Sequence, residues 1–232
     1  MMFLFSRTFI IALNFRVFSG GIFRMVFDRD IRLTILGHMG VGKTSLLKRL
    51  KAEDQAQIEK TLDITIEKKK LTLLSSTKQS RFSLERYRKY NLIAVDNPGD
   101  FKLRRKWREA MRKYKTHGIL FMLDPTQAVE AQRVAMEDSF NYYLDSLSLD
   151  PDKADKKAKK RRTLFFFVVN KMDAIDYDET RANKFLNDFE TVINDYKITF
   201  PFAIFQKAFI SVLKSPYEEI DGIFEKCKRS LY

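Results

Sequence analysis

The sequence predicts an α/β fold with a mostly parallel six-stranded sheet, one antiparallel strand pair and helices on both faces. Three observations predict it. Short apolar runs alternate with helix-length amphipathic stretches, two long strand-like segments are separated only by a short polar linker, and a glycine-rich turn joins the first apolar run to a helix-like stretch.

Taken in order, residues 3–18, FLFSRTFIIALNFRVF, are apolar and lack acidic residues, but Arg7, Asn14 and Arg16 interrupt them. The run falls short of the roughly 18 uninterrupted apolar residues of a spanning helix. Its polar residues also do not share one helical face. Residues 1–24 are therefore read either as a membrane-touching extension or as a disordered lead, followed by one domain over 25–232. Neither Met2 nor the position of Cys227 fits a lipid-anchor motif.

IRLTIL, 31–36, places Ile31, Leu33 and Ile35 on one face of a strand, and SLLKRLKAE after the turn reads as a helix. Residues 62–74 and 82–95 read as strands joined by Ser75–Ser80, hence an antiparallel hairpin. Further strands are expected at 119–123, 164–169 and 205–212, with helices at about 102–114, 127–147, 179–196 and 216–229. The basic insertion 150–162, DPDKADKKAKKRR, reads as an exposed loop or a frayed helix end.

The composition narrows the function classes. With 45% apolar and 31% charged residues in 232, the chain can bury one large core and is neither a disordered tail nor a multi-span membrane protein. Forty-three Lys and Arg against thirty Asp and Glu give a net charge of +13, which predicts attraction to something anionic. One cysteine and two histidines argue against a disulfide framework and a structural zinc site, and suit a reducing cytosol.

Residues Gly37, His38, Met39, Gly40, Val41, Gly42, Lys43 and Thr44 satisfy G-x-x-x-x-G-K-[ST] between a strand and a helix. Backbone N–H groups of such a loop, continuing to Ser45, cradle a polyphosphate. Lys43 supplies a point charge and the Thr44 hydroxyl a magnesium ligand. Asn170-Lys171-Met172-Asp173 follows the apolar strand TLFFFVV, at the carboxyl end where open α/β sheets bind ligands. A carboxylate there can accept from both guanine N1–H and the exocyclic amine, whereas adenine would leave it unpaired. Asp173 is the expected guanine reader, with Asn170 bracing the pocket and the Lys171 stem over the purine. Asp96-Asn97-Pro98-Gly99 ends another strand and offers an aspartate for magnesium and a glycine N–H for a γ-phosphate. Thr61 is the expected second hydroxyl on magnesium, with Thr65 as the alternative.

The order GHMGVGKT, Thr61, DNPG, NKMD resembles the Ras-like small GTPases, a branch of the P-loop NTPase fold. The run PGDFKLRRKWREAM, with Lys102, Arg104, Trp107 and Arg108, and the segment KTLDITI are similar to the ADP-ribosylation-factor branch. The resemblance covers about residues 31–232 and places Ser211, Val212 and Leu213 where such proteins make a short contact to the base. It implies magnesium and GTP or GDP as ligands. It implies catalysis at Lys43, Thr61, Gly99 and Asp100, and effector, exchange-factor or activating partners at the switch regions. Asp100 stands where related proteins usually carry a glutamine that orients water, so slow turnover is expected. Met39 replaces a smaller residue and would crowd a partner's arginine, and the stretch from Thr61 to Asp96 is longer than usual.

Two function classes follow. The first is a magnesium-dependent GTP switch, cytoplasmic, with a basic surface that suits peripheral membrane association; nucleic acid ranks lower because no binding motif is present. The second is a docking module that holds GTP constitutively, motivated by Asp100, the D-x-P-G variant and similarity to the β subunit of the signal recognition particle receptor.

Overall fold

A computed structural model describes residues 29–51, 65–75 and 86–231. The segment 1–24, Thr61 and the linker after Ser75 fall outside the described residues. Strands β1 (Arg29–Leu36), β2 (Thr65–Ser75), β3 (Arg86–Asp96), β4 (Gly118–Leu123), β5 (Leu164–Val169) and β6 (Ile204–Phe209) form one sheet in the order β2-β3-β1-β4-β5-β6. β2 runs antiparallel to β3 along the full register Thr65↔Asp96 to Ser75↔Arg86, and the other neighbours are parallel. The expected sheet, with its one antiparallel pair, is therefore present.

Strand order turns back on either side of β1, so the carboxyl ends of β1, β3, β4 and β5 converge on the crevice where such sheets bind ligands. Helices α1 (Lys43–Lys51) and α7 (Tyr217–Leu231) cover one face. The other face carries α2 (Arg105–Tyr114), α3 (Val129–Leu147), α4 (Pro151–Ala158), α5 (Glu179–Asn187) and α6 (Glu190–Thr199). The central strands β4 and β5 are buried throughout, which is why they read as continuous apolar runs. Their alternate residues divide the core: Phe121, Phe165 and Phe167 join Trp107 and Phe140 under α2 and α3, whereas Leu120, Met122 and Phe166 join Leu46, Ile223 and Phe224 under α1 and α7.

Two expectations are corrected. The basic segment 150–162, read as an exposed loop or a frayed helix end, carries a separate capped helix, α4, over Pro151–Ala158. The Asp150 side chain accepts from Lys153 N–H, and Pro151 sits in the first turn, where its missing N–H costs nothing. Ala154 and Ala158, four apart, are buried on α3's side while the lysines face water. The stretch expected as one helix at 179–196 is two, α5 and α6, broken at Asp188–Phe189. Phe189 turns wholly into the core against Phe185, with ring centroids 5.2 Å apart. Arg133 of α3 donates to the Asp188 carbonyl at 3.1 and 3.3 Å, satisfying a group the break exposes.

Candidate functional site

The loop Gly37–Gly42 leaves the end of β1 with Gly37, Gly40 and Gly42 at positive φ (141°, 80° and 99°), a region L side chains rarely enter. A Cβ at Gly37 would collide with the Met122 carbonyl and one at Gly42 with the Asn170 amide, so the loop is pressed against β4 and β5. Lys43 is buried, and its ammonium donates to the carbonyls of Gly37 (3.0 Å) and His38 (2.8 Å). Burial pulls its pKa down to about 8, with nearby Asp96 opposing and Arg104 adding to the shift. His38 Nδ1 lies 3.1 Å from Gln127 Oε1, and Met39 and Gly40 face solvent.

The DNPG turn closes on this loop. A Cβ at Gly99 would lie 2.5 Å from Lys43 Nζ and 2.7 Å from Met39 N, an approach only glycine permits. Trp107 Nε1 donates to Pro98 O at 2.7 Å and fixes the turn to α2. Arg104, of the run similar to the ADP-ribosylation-factor branch, is buried; it pairs with Asp138 of α3 at 2.7 Å and lies over the Phe101 and Trp107 rings. Asp100 starts the 3₁₀ turn Phe101–Leu103, its carboxylate accepting from Lys102 N–H at 3.0 Å.

Thr44 and Asp96 meet: the hydroxyl donates to Asp96 Oδ2 at 2.8 Å, and Asp96 is buried. Two hard oxygen donors converging beside a phosphate loop suit magnesium, which keeps most of its waters and takes one or two protein oxygens. Thr61 lies outside the described residues. Thr65, the alternative, stands opposite Asp96 in the β2–β3 register.

The base corner is assembled from three strand ends. Asn170 Nδ2 donates to Val41 O at 2.9 Å while its Oδ1 accepts from Val212 N–H at 2.8 Å, so one buried amide ties the phosphate loop to the Ser211–Leu213 loop. The N–H of Val212, in the run expected to make a short contact to the base, is given to Asn170. Ser211 Oγ donates to Asp173 Oδ1, and Lys214 pairs with Asp173 Oδ2 at 3.0 Å. The Ser211 bond and then Lys214 hold the Asp173 carboxyl below the usual carboxylate range, so it is ionised at neutral pH. Leu213 is exposed.

Two residues here escaped the sequence reading. Asp124, wholly buried at the end of β4, pairs with Lys171 Nζ at 2.5 Å and accepts from Thr126 N and Oγ1 at 2.9 and 2.7 Å. Gln132 of α3 clamps the same residue's backbone, accepting from its N–H and donating to its carbonyl, both at 2.8 Å. The available signal was an acid at the carboxyl end of an otherwise apolar strand. Lys171 itself sits in the left-handed region, φ 59°.

A family model, signal recognition particle receptor beta subunit, matches residues 28–156, more than half of the chain. The chain belongs to that family. The family is one of Ras-like small GTPases, so the superfamily read from GHMGVGKT and DNPG holds, whereas the match does not single out the ADP-ribosylation-factor branch. It runs from the start of β1 into α4 and stops short of Asn170, so the base corner rests on its own geometry. No curated protein matches the chain.

Proposed function

We propose that the chain is a guanine-nucleotide switch that binds GTP with magnesium and hydrolyses it slowly. Its Thr61 and Asp96–Lys115 regions would engage effector, exchange-factor or activating proteins. The observation that carries this reading is Asn170, because one amide bonded to both Val41 and Val212 makes the phosphate loop and the base corner a single site. Kinship to the ADP-ribosylation-factor branch draws support from Trp107 and Arg104, which tie the DNPG turn to α2 and α3. The single cysteine supports a cytoplasmic setting.

Thr44 and Asp96, with Thr61, would hold magnesium, which supplies neutralisation of phosphate charge when bound. Lys43 moves from the Gly37 and His38 carbonyls to the outer phosphates, and the N–H groups of the loop fix their oxygens. The Gly99 N–H meets the γ-phosphate. Asp173 accepts from the guanine edge while the Lys171 stem, its head held by Asp124, covers the ring. Each step is positioning or charge neutralisation, without a covalent intermediate. Competition of GTP and ATP for the purified protein tests the reading: preference for GTP by about 10⁴ is expected, and equal affinity overturns it.

A second reading, a docking module of the receptor-β type that holds GTP without turning it over, is favoured by Asp100. Its carboxylate caps the Phe101–Leu103 turn, a bond that competes with orienting water. Single-turnover phosphate release separates the two: release with cell extract present removes the docking reading, and none removes the switch.

A further inference from the structure

Guanine asks one carboxylate to accept from two donors, N1–H at one oxygen and the exocyclic 2-amino group at the other. In this chain both oxygens of Asp173 already hold donors. Oδ1 takes the hydroxyl of Ser211, which is buried, and Oδ2 takes the ammonium of Lys214 at 3.0 Å. The Lys214 side chain is 63% exposed and that of Asp173 24%, so this ion pair lies on the solvent side of the corner and the Ser211 bond on the inner side.

Lys214 does not reach Asp173 from a loose loop. The N–H groups of Lys214 and Ser215 both donate to the Ser211 carbonyl, at 3.0 and 2.7 Å, and the Ser211 N–H donates to Ser215 Oγ at 3.0 Å. Arg49 of α1 donates to the Ser215 carbonyl at 2.5 Å and pins this turn to the helix that begins at the phosphate loop. The root of the Lys214 side chain is therefore fixed beside Asp173. The other lysine of the corner, Lys171, has its ammonium on Asp124 and serves a different carboxylate. An ion pair as open to water as Lys214 with Asp173 contributes little to stability. Its consequence is chemical, because it decides what else Oδ2 needs. Hypoxanthine, a purine with N1–H but no 2-amino group, leaves one carboxylate oxygen without a donor, and a site with nothing else to offer that oxygen rejects it. An ammonium already on Oδ2 removes that penalty. It also lowers the gain from a 2-amino group, which must share the oxygen or displace the lysine.

We propose that Lys214 is a specificity-determining residue that stands in for the exocyclic amine at Asp173 Oδ2, so that the site binds hypoxanthine nucleotides nearly as well as guanine nucleotides. N1–H, common to both bases, goes to Oδ1 beside Ser211. The inference rests on the guanine-nucleotide reading and adds a second class of base to it. It is tested by competition of GDP, inosine diphosphate and ADP against a ribose-labelled fluorescent GDP, on the wild-type chain, Lys214→Met and Lys214→Arg. Wild type is expected to prefer GDP over inosine diphosphate by no more than about threefold, and Lys214→Met by about tenfold, since only water then meets Oδ2. Lys214→Arg, which keeps a cation at that oxygen, should stay near the wild-type ratio. Unchanged thermal melts show that these surface variants fold. A wild-type preference already near tenfold, or one ratio shared by all three chains, overturns the inference and leaves the guanine reading standing. An equal change for both nucleotides in Lys214→Met would put the ammonium at the oxygen that N1–H needs, and overturns it as well. ADP bound by wild type as tightly as GDP would overturn the guanine reading itself, and the inference with it.

Discussion

The phosphate half of the proposed site is made by consecutive residues, Gly37 to Thr44, whose backbone would do the binding. The base half draws single side chains from the ends of β4, β5 and β6. In the first half, chain geometry decides: three positive-φ glycines and the close approach of Gly99 leave no freedom for a side chain. In the second, topology decides, because Asp124, Asn170, Asp173 and Ser211 become neighbours only once β4, β5 and β6 lie in register. Affinity for phosphates should therefore be separable from choice of base. The largest expected effect tests that. Asp173→Ala should erase a GTP-over-ATP preference of about 10⁴ while leaving ATP affinity as it was, read by competition titration. A parallel loss for both nucleotides would show that the halves are not separable.

Asn170 is where the two halves touch. Asn170→Ala would leave the Val41 carbonyl and the Val212 N–H without their present partner. About 3 kcal/mol of stability should be lost, a fall of roughly 6–12 °C in Tm. GTP and ATP affinities should drop together by about 100-fold. A variant that loses only GTP binding would assign Asn170 to the base side alone.

The same contrast explains what was legible in the sequence. The phosphate loop and the NKMD run are local, and their glycines and carboxylate announce chemistry at fixed spacing, so strand, loop, helix and Asp173 could be read directly. Asp124 could not, since DPT after a strand is indistinguishable from a turn until β4 and β5 pair and Lys171 arrives. The helix α4 had its local signal, Asp150 and Pro151 as cap and first turn, but dense charge outweighed it. The decisive Ala154 and Ala158 contacts need α3 as a surface. The carbonyl exposed at the break between α5 and α6 finds its partner in Arg133, far away in sequence.

A smaller effect sharpens the base side. Asp124→Asn keeps the size and an acceptor for Thr126 but removes the charge that holds Lys171. About 1.5 kcal/mol should be lost from the grip on the purine, roughly tenfold in the dissociation rate of a guanine nucleotide measured by stopped flow. If dissociation is unchanged, Lys171 needs no anchor.

The smallest effect belongs to the phosphate side and is read by pH. In the free protein burial sets the Lys43 pKa to about 8, whereas a bound polyphosphate stabilises the ammonium and raises it. Binding is then accompanied by proton uptake, and affinity is full below the free-state value and falls as pH rises through it. Between pH 7 and 8.5 GDP affinity should weaken by about fourfold by this group alone. Lys43→Arg, which stays charged throughout, should flatten the profile even if it binds more weakly. A wild-type profile as flat as the arginine variant's would mean that Lys43 is already protonated in the free loop. The carbonyls of Gly37 and His38 and the Asp96 carboxylate would then outweigh its burial, and the cradle would be preset for an anion before one arrives.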